Sequence, residues 1–222
     1  MRVFLVHWHP EPSSFNGALF RTARASLAGA GHDVQVSDLR AMRFDPVSGR
    51  HNFKAAQDER YFKQQLEELH ATDTDGFAEP IETEIAKLEW CDVMIWQFPL
   101  WWFGLPAALK GWVDRVFAMG RIYGNGRVYA DGVFRGKRAM LSLTTGGPRE
   151  AYVDGGFNGN IDGVLRPIQR GILAFTGFDV LRPHIVYAPA RLGDDKRREA
   201  LAAWSRRLTG LHSEAAIDVG QY

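Results

Sequence analysis

Apolar residues along this chain follow two rhythms. A short continuous apolar run at residues 3–6, and short β-branched and apolar runs at 34–37, 93–98 and 139–144, are bounded by turn residues, and a weaker run at 180–187 is interrupted by Pro183. Such runs suit strands buried on both faces of a parallel sheet. Between them, apolar positions recur three and four apart. Residues 16–30 carry Leu19, Phe20, Ala23 and Leu27 on one face, with Ser13, Ser14 or Asn16 available as the N-cap. Residues 81–90 carry Ile81, Ile85 and Leu88; 106–117 open on a proline; 161–175 and 194–211 complete the helical set. This alternation predicts one α/β domain over residues 1–222: a doubly wound, five-stranded parallel sheet with helices on both faces. The stretch 40–78 has only a patchy helical signal around 59–70, and 120–136 is rich in glycine and aromatics. Both are long for plain connections, so each is either surface elaboration or a functional loop.

Composition narrows the function classes. The chain has 222 residues, 45% of them hydrophobic, and a formal net charge of +1 from 27 Lys and Arg against 26 Asp and Glu. That balance offers no electrostatic footprint for nucleic acid or an anionic membrane. A single cysteine, Cys91, excludes an internal disulfide and a cysteine zinc cluster, and fits a reducing compartment. The first apolar run ends at His7, too short for a secretion signal or a membrane span, so the cytoplasm is the expected location. The aromatics stand out: 14 Phe, 7 Trp and 6 Tyr, several of them between Trp96 and Phe103.

Open α/β sheets bind ligands beyond the carboxyl ends of their strands, so the segments following the strands matter most. After the first strand, His9-Pro10-Glu11-Pro12-Ser13-Ser14-Phe15-Asn16 leads into a helix, offering hydroxyls, an amide and free backbone N–H groups to an anion. The dinucleotide fingerprint G-x-G-x-x-G is absent there. After the third, Leu100-Trp101-Trp102-Phe103-Gly104 displays three consecutive large aromatics, a spacing that no helical core stripe uses. They suit the face of a planar ring or a subunit contact. After the fourth, Thr144-Thr145-Gly146-Gly147 precedes Tyr152. Paired glycines let backbone amides approach one edge of a ring, and donors there stabilise the negative charge of a reduced flavin.

Three strings carry a family resemblance: HPEPSSFN from His9, QFPLWWFGLPAALKGWVDRVF from Gln97, and SLTTGG from Ser142. Together, in this order, they resemble the NAD(P)H dehydrogenase (quinone) family. The likeness runs from Arg2 to about Leu208 and weakens in 50–79. It implies a flavodoxin-like fold, bound FAD, NADH or NADPH as reductant, and a homodimer that reduces quinones by a ping-pong hydride transfer. His9, Ser14, Phe15 and Asn16 would hold the FAD pyrophosphate. Leu100, Trp101, Trp102 and Phe103 would line the isoalloxazine, with Thr144, Thr145, Gly146 and Gly147 at its pyrimidine side. Tyr152 would act with Gly146 and Gly147 in stabilising the reduced ring. Arg197 falls where the family places an arginine near the ADP moiety, although it also reads as an exposed charge on a basic helix.

By the same resemblance the substrate slot comprises Trp102, Phe103 and Asn158, with Tyr123 and Phe175 reaching it from the other subunit; Phe175 also reads as a core residue of its helix. The chain departs from the family where a histidine of a proposed proton relay is replaced by Asn158, and a second lid tyrosine by Asn125. Asparagine does not titrate near neutral pH, so no histidine relay is assigned. Arg170 and Ala174 stand at the positions of a zinc-binding histidine pair found in one branch, so no metal is expected. Alternative readings are an FMN-type azo- or nitroreductase and a flavoprotein regulatory subunit of a membrane potassium-efflux system.

Overall fold

Successive side chains of a strand leave on opposite faces, and here both faces are covered. The computed structural model describes residues 1–220, so the expected domain limit at residue 222 lies outside the described residues. Strand β1 spans Arg2–His7, β2 Asp33–Asp38, β3 Val93–Pro99 and β4 Arg138–Thr145. Val3 and Leu5 of β1, with Val93 and Ile95 of β3, pack beneath helices α1 (Phe15–Gly29) and, further along the chain, the Trp204-bearing C-terminal helix. Phe4 and Val6, with Met94, Trp96 and Phe98, face the opposite layer. That layer contains α2 (Gln64–Thr74), α3 (Glu79–Trp90), α4 (Ala107–Val116) and α5 (Ile161–Ile168). Fully burying each large apolar side chain contributes about 1.5–3 kcal/mol, so the two layers supply most of the driving force.

All ladders are parallel, in the order β2-β1-β3-β4. Beyond β4 the fifth position is filled by two short pieces, β5 (Asp179–Val180) and β6 (His184–Tyr187), each paired with β4. Pro183, which has no N–H to donate, stands in the break between them. The run expected at 180–187 is therefore one edge position in two parts. The sheet is the doubly wound, flavodoxin-like arrangement that the alternating pattern predicts. Its strand order reverses beside β1, between β2 and β3, and the carboxyl ends there open a crevice.

Helix α6 (Asp194–Thr209) packs beside α1 through Trp204, whose Nε1 donates to the Leu19 carbonyl at 3.1 Å. The patchy signal around 59–70 resolves into α2, displaced toward the C-terminal side. The helix expected over 161–175 ends as regular α-helix at Ile168 and continues as a wider π-turn over Gln169–Ala174. Glu84, fully buried in α3, accepts from Ser37, Lys87 and Trp112 at 2.6, 2.6 and 2.8 Å, so its charge is satisfied on three sides.

Candidate functional site

Each wall of the crevice is the loop that a strand releases at its carboxyl end. After β1, Ser14 caps α1, its hydroxyl accepting from the Gly17 N–H at 3.1 Å. The chain turns so tightly that a Cβ at Gly17 would stand 2.1 Å from the Pro12 carbonyl oxygen. This turn presents the first N–H groups of α1, at the positive end of its dipole, to the crevice. His9 accepts the Glu11 N–H at 3.0 Å, and its ring lies 6.4 Å from that of Trp101.

After β3, Trp101 and Gly104 close a two-residue turn, with Gly104 N–H donating to the Trp101 carbonyl at 2.9 Å. Its central residues, Trp102 and Phe103, have φ of 50° and 58°. Two bulky residues in the left-handed region carry backbone strain, since a Cβ is disfavoured there. Trp102 is 97% exposed, so its indole stands free of the rest of the chain. Trp101 is fixed edge-on against Trp8 at 5.2 Å.

After β4, Thr145 Oγ donates to the Gly147 carbonyl at 2.8 Å and bends the chain. The N–H groups of Gly146 and Gly147 have no acceptor among the described residues. A Cβ on Gly146 would enter open space, whereas one on Gly147 would come within 3.1 Å of the Tyr152 ring and 3.5 Å of the Asn158 amide. Gly147, Tyr152 and Asn158 thus form one cluster at the mouth. Tyr152 is buried, its ring 5.9 Å from that of Tyr187.

The fourth wall was not expected from sequence. Ala188 follows β6 in a left-handed conformation (φ 44°) and donates its N–H to the Thr145 carbonyl at 3.0 Å. Pro189 and Ala190 continue the wall, and their carbonyls take the Arg197 guanidinium at 3.0 and 3.4 Å, with Asp194 at 3.1 Å. These residues act through backbone and shape. Their only advance signal was their position directly after a strand end.

The walls enclose a cleft of about 740 Å³, in the range of cofactor sites. Of the residues expected to bind cofactor, His9, Ser14, Phe15 and Asn16 line it from the loop after β1 and the start of α1, and Leu100, Trp101 and Trp102 from the β3 loop. Thr144, Thr145 and Gly146 line it from the end of β4, and Arg197 from α6. Phe103, Gly147 and Tyr152 lie outside the lining, on the same loops. Buried amides tie the cleft floor together: Gln97 Nε2 donates to Asn16 Oδ1 at 2.8 Å, and the His7 ring nitrogen Nδ1 contacts the Gln97 carbonyl at 3.0 Å. Burial lowers the His7 pKa, so its ring is the neutral donor in that contact.

Tyr123 and Phe175 are not in this cleft. Their rings lie 6.0 Å apart on a second cavity of about 410 Å³. Phe175 is half-buried and meets Tyr129 edge-on at 5.4 Å, so it is not a core residue. The segment bearing Tyr123 is held by α2, where Glu68 accepts the Met119 N–H at 2.7 Å and Gln65 donates to the Tyr123 hydroxyl at 3.2 Å. No group of His, Cys, Asp and Glu side chains among the described residues is arranged to hold a metal ion. No helix among them is long and apolar enough to cross a membrane.

Residues 1–208 match the family model of the flavodoxin-like fold. The chain is 40% identical over 217 residues to ribosyldihydronicotinamide dehydrogenase (quinone) of Pongo abelii, spanning 97% of this chain and 94% of that protein. It is also 40% identical over 217 residues to NAD(P)H dehydrogenase (quinone) 1 of Cavia porcellus, spanning 97% and 79%. A structure from Klebsiella pneumoniae assigned as a quinone reductase shares 41% identity with a TM-score of 0.94, over 98% of this chain and 87% of that one.

Proposed function

The chain belongs to the NAD(P)H dehydrogenase (quinone) family of flavodoxin-like proteins, and from that premise we propose that it works as a FAD-dependent homodimer in the cytoplasm. It is an NAD(P)H:quinone oxidoreductase. The observation that carries the cofactor reading is the convergence of three strand-end loops on one cleft, with the unpaired N–H groups of Gly146 and Gly147 at its edge and a free indole, Trp102, at its mouth. The space where a Gly146 side chain would stand is open, as a flat ring laid against that loop requires.

A bound flavin supplies a ring that accepts hydride from a dihydronicotinamide and passes it to a quinone. The protein holds and tunes that ring. Leu100, Trp101 and Trp102, which line the cleft, would hold such a ring, with Phe103 beside them on the same turn. The Gly146 and Gly147 amides stand ready for negative charge at one edge, a fixed donor pair that needs no reorganisation. Tyr152 places its hydroxyl beside them. Asn158, next to Gly147, offers hydrogen bonds from an amide that does not titrate. The amides at the start of α1, with Ser14, His9 and Asn16, seat a pyrophosphate. Arg197, which lines the same cleft from α6, would offer its charge to a second nucleotide half, the basis on which FAD is preferred to FMN.

The whole chain serves as a single FAD-binding domain, and the substrate slot is completed by a second copy. Tyr123 and Phe175, presented away from their own cleft, close over that of the partner. Reductant and quinone use this slot in turn, so steady-state plots run parallel. The test is direct. Purified protein should be yellow, release FAD on acid extraction, and bleach on anaerobic addition of NADH or NADPH. Release of FMN would overturn the FAD assignment, intersecting kinetic lines the shared slot, and a colourless protein that takes up neither flavin the whole reading.

A further inference from the structure

Outside the flavin cleft, a cavity of about 580 Å³ opens at the sheet edge between β6, the start of α5 and the segment around Asp218. Arg149, Arg166 and Arg182 all border it. None of the three makes an ion pair or a side-chain hydrogen bond among the described residues, although ten other ion pairs are formed among them. Arg166 is directed at the cavity wall, its Nη2 3.8 Å from where a Cβ on Gly220 would stand. At the same cavity Gln169 is only 3% exposed, and its amide nitrogen has no partner. A buried, unsatisfied donor is costly unless something outside the chain accepts from it.

Three unpaired guanidinium groups around a buried amide donor describe a receptor for an anion, and planar guanidinium forks favour phosphate. Two carboxylates, Asp162 and Asp218, border the same cavity. They would repel a bare anion but accept from the hydroxyls of a sugar. Tyr187 and Ile185 add an aromatic and an aliphatic wall. Phosphate, sugar and flat ring together make a nucleotide. The cavity also adjoins the reaction site. Tyr187 stands between the two, 5.9 Å from Tyr152, and Arg149 belongs to the same short turn, Arg149–Tyr152, as that tyrosine.

We propose that this cavity binds the phosphate-bearing part of a nucleotide, with Arg149, Arg166 and the Gln169 amide as its ligands. The source that the location favours is the adenosine phosphate of NADPH, an assignment that rests on the function proposed above; a separate nucleotide would use the same chemistry.

The flavin-loaded protein should be titrated calorimetrically with adenosine 2′,5′-bisphosphate, which carries the phosphates without the nicotinamide. Binding is expected, and the double variant Arg149→Ala, Arg166→Ala should weaken it at least about tenfold, since hydrogen bonds to charged groups are lost. Both side chains are exposed, so the fold should survive; Arg149→Lys, Arg166→Lys, keeping charge, should recover part of the affinity. If the bisphosphate competes with NADPH, and the double variant raises KM for NADPH but not for NADH, the site serves the reductant. If it binds without competing, the site serves a separate nucleotide. Absence of binding, or equal binding by the double variant, overturns the proposal. Absence of NADH-driven quinone reduction would instead strike the enzymatic reading and leave the calorimetric result to be judged alone.

Discussion

Asn16 and Thr144 stand 128 positions apart and are joined by a hydrogen bond of 2.7 Å from the amide of one to the hydroxyl of the other. The link ties the start of α1 to the end of β4, and Gln97 of β3 extends it by donating to the other end of the same amide. Asn16 is buried at 3% exposure. Replacing it with Leu strands a Gln97 donor and a Thr144 acceptor, at a cost of about 1–3 kcal/mol for each buried group left unsatisfied. Asn16→Leu should lower the urea midpoint accordingly and weaken flavin retention. An unchanged midpoint would show that water replaces the amide.

Two glycines of α1 should respond to the same substitution in opposite directions. At Gly17 a methyl would lie 2.1 Å from the Pro12 carbonyl oxygen, a backbone atom that cannot move without opening the loop. At Gly29 nothing lies within 4 Å. Gly29→Ala should therefore stabilise by roughly 0.5–1 kcal/mol through helix propensity. Gly17→Ala should destabilise and release flavin. Thermal melts of the two variants, with flavin content measured on each, make the comparison; similar behaviour would refute the close approach.

Much of this architecture was legible because strands and helices here keep their own periods. Val3–Val6 is apolar on every residue and Val93–Phe98 on all but Gln97, as burial on both faces demands, and Ile81, Ile85 and Leu88 mark a single helical face. Helix α2 was blurred because its buried residues include Glu67 and Glu68, which hydropathy reads as surface. Their burial rests on backbone donors from Gln57, Asp58 and Met119, partners distant in sequence or lying in loops. In the site, the Trp101–Phe103 and Thr144–Gly147 loops announced themselves by unusual composition. Ala188–Ala190 did not, since small residues that contribute carbonyls and a left-handed turn leave no side-chain signature. The separation of Tyr123 and Phe175 from their own cleft is likewise a matter of tertiary placement.

Acid should loosen the fold through His184. Its ring stacks on Trp204 at 4.3 Å, and its buried Nε2 has no partner. Burial first, and the charge of Arg207 second, lower its pKa from 6.5 to about 4. Between those values the unfolded chain binds a proton that the folded one refuses, so stability from this residue is intact above pH 6.5 and declines as pH falls toward 4. His184→Phe keeps the stacking and removes the titration. Urea midpoints measured across this interval should fall less steeply in the variant; parallel profiles would remove His184 from the account.

The turn at Trp102 and Phe103 sets stability against function. Both residues hold positive φ, where side chains with a Cβ cost roughly 1–2 kcal/mol each, and Trp102, 97% exposed, recovers little of that from packing within the chain. A two-residue turn of this kind is most at ease with Asn followed by Gly. The double variant Trp102→Asn, Phe103→Gly should raise the melting temperature of the flavin-free protein. It should also lower flavin affinity and quinone turnover, because the indole and phenyl faces are gone. Measuring apo-protein melting beside flavin titration separates the two effects. A variant that melts no higher would mean the backbone there is unstrained. One that melts higher yet binds and turns over as before would mean the exposed aromatics have no part in holding the ring.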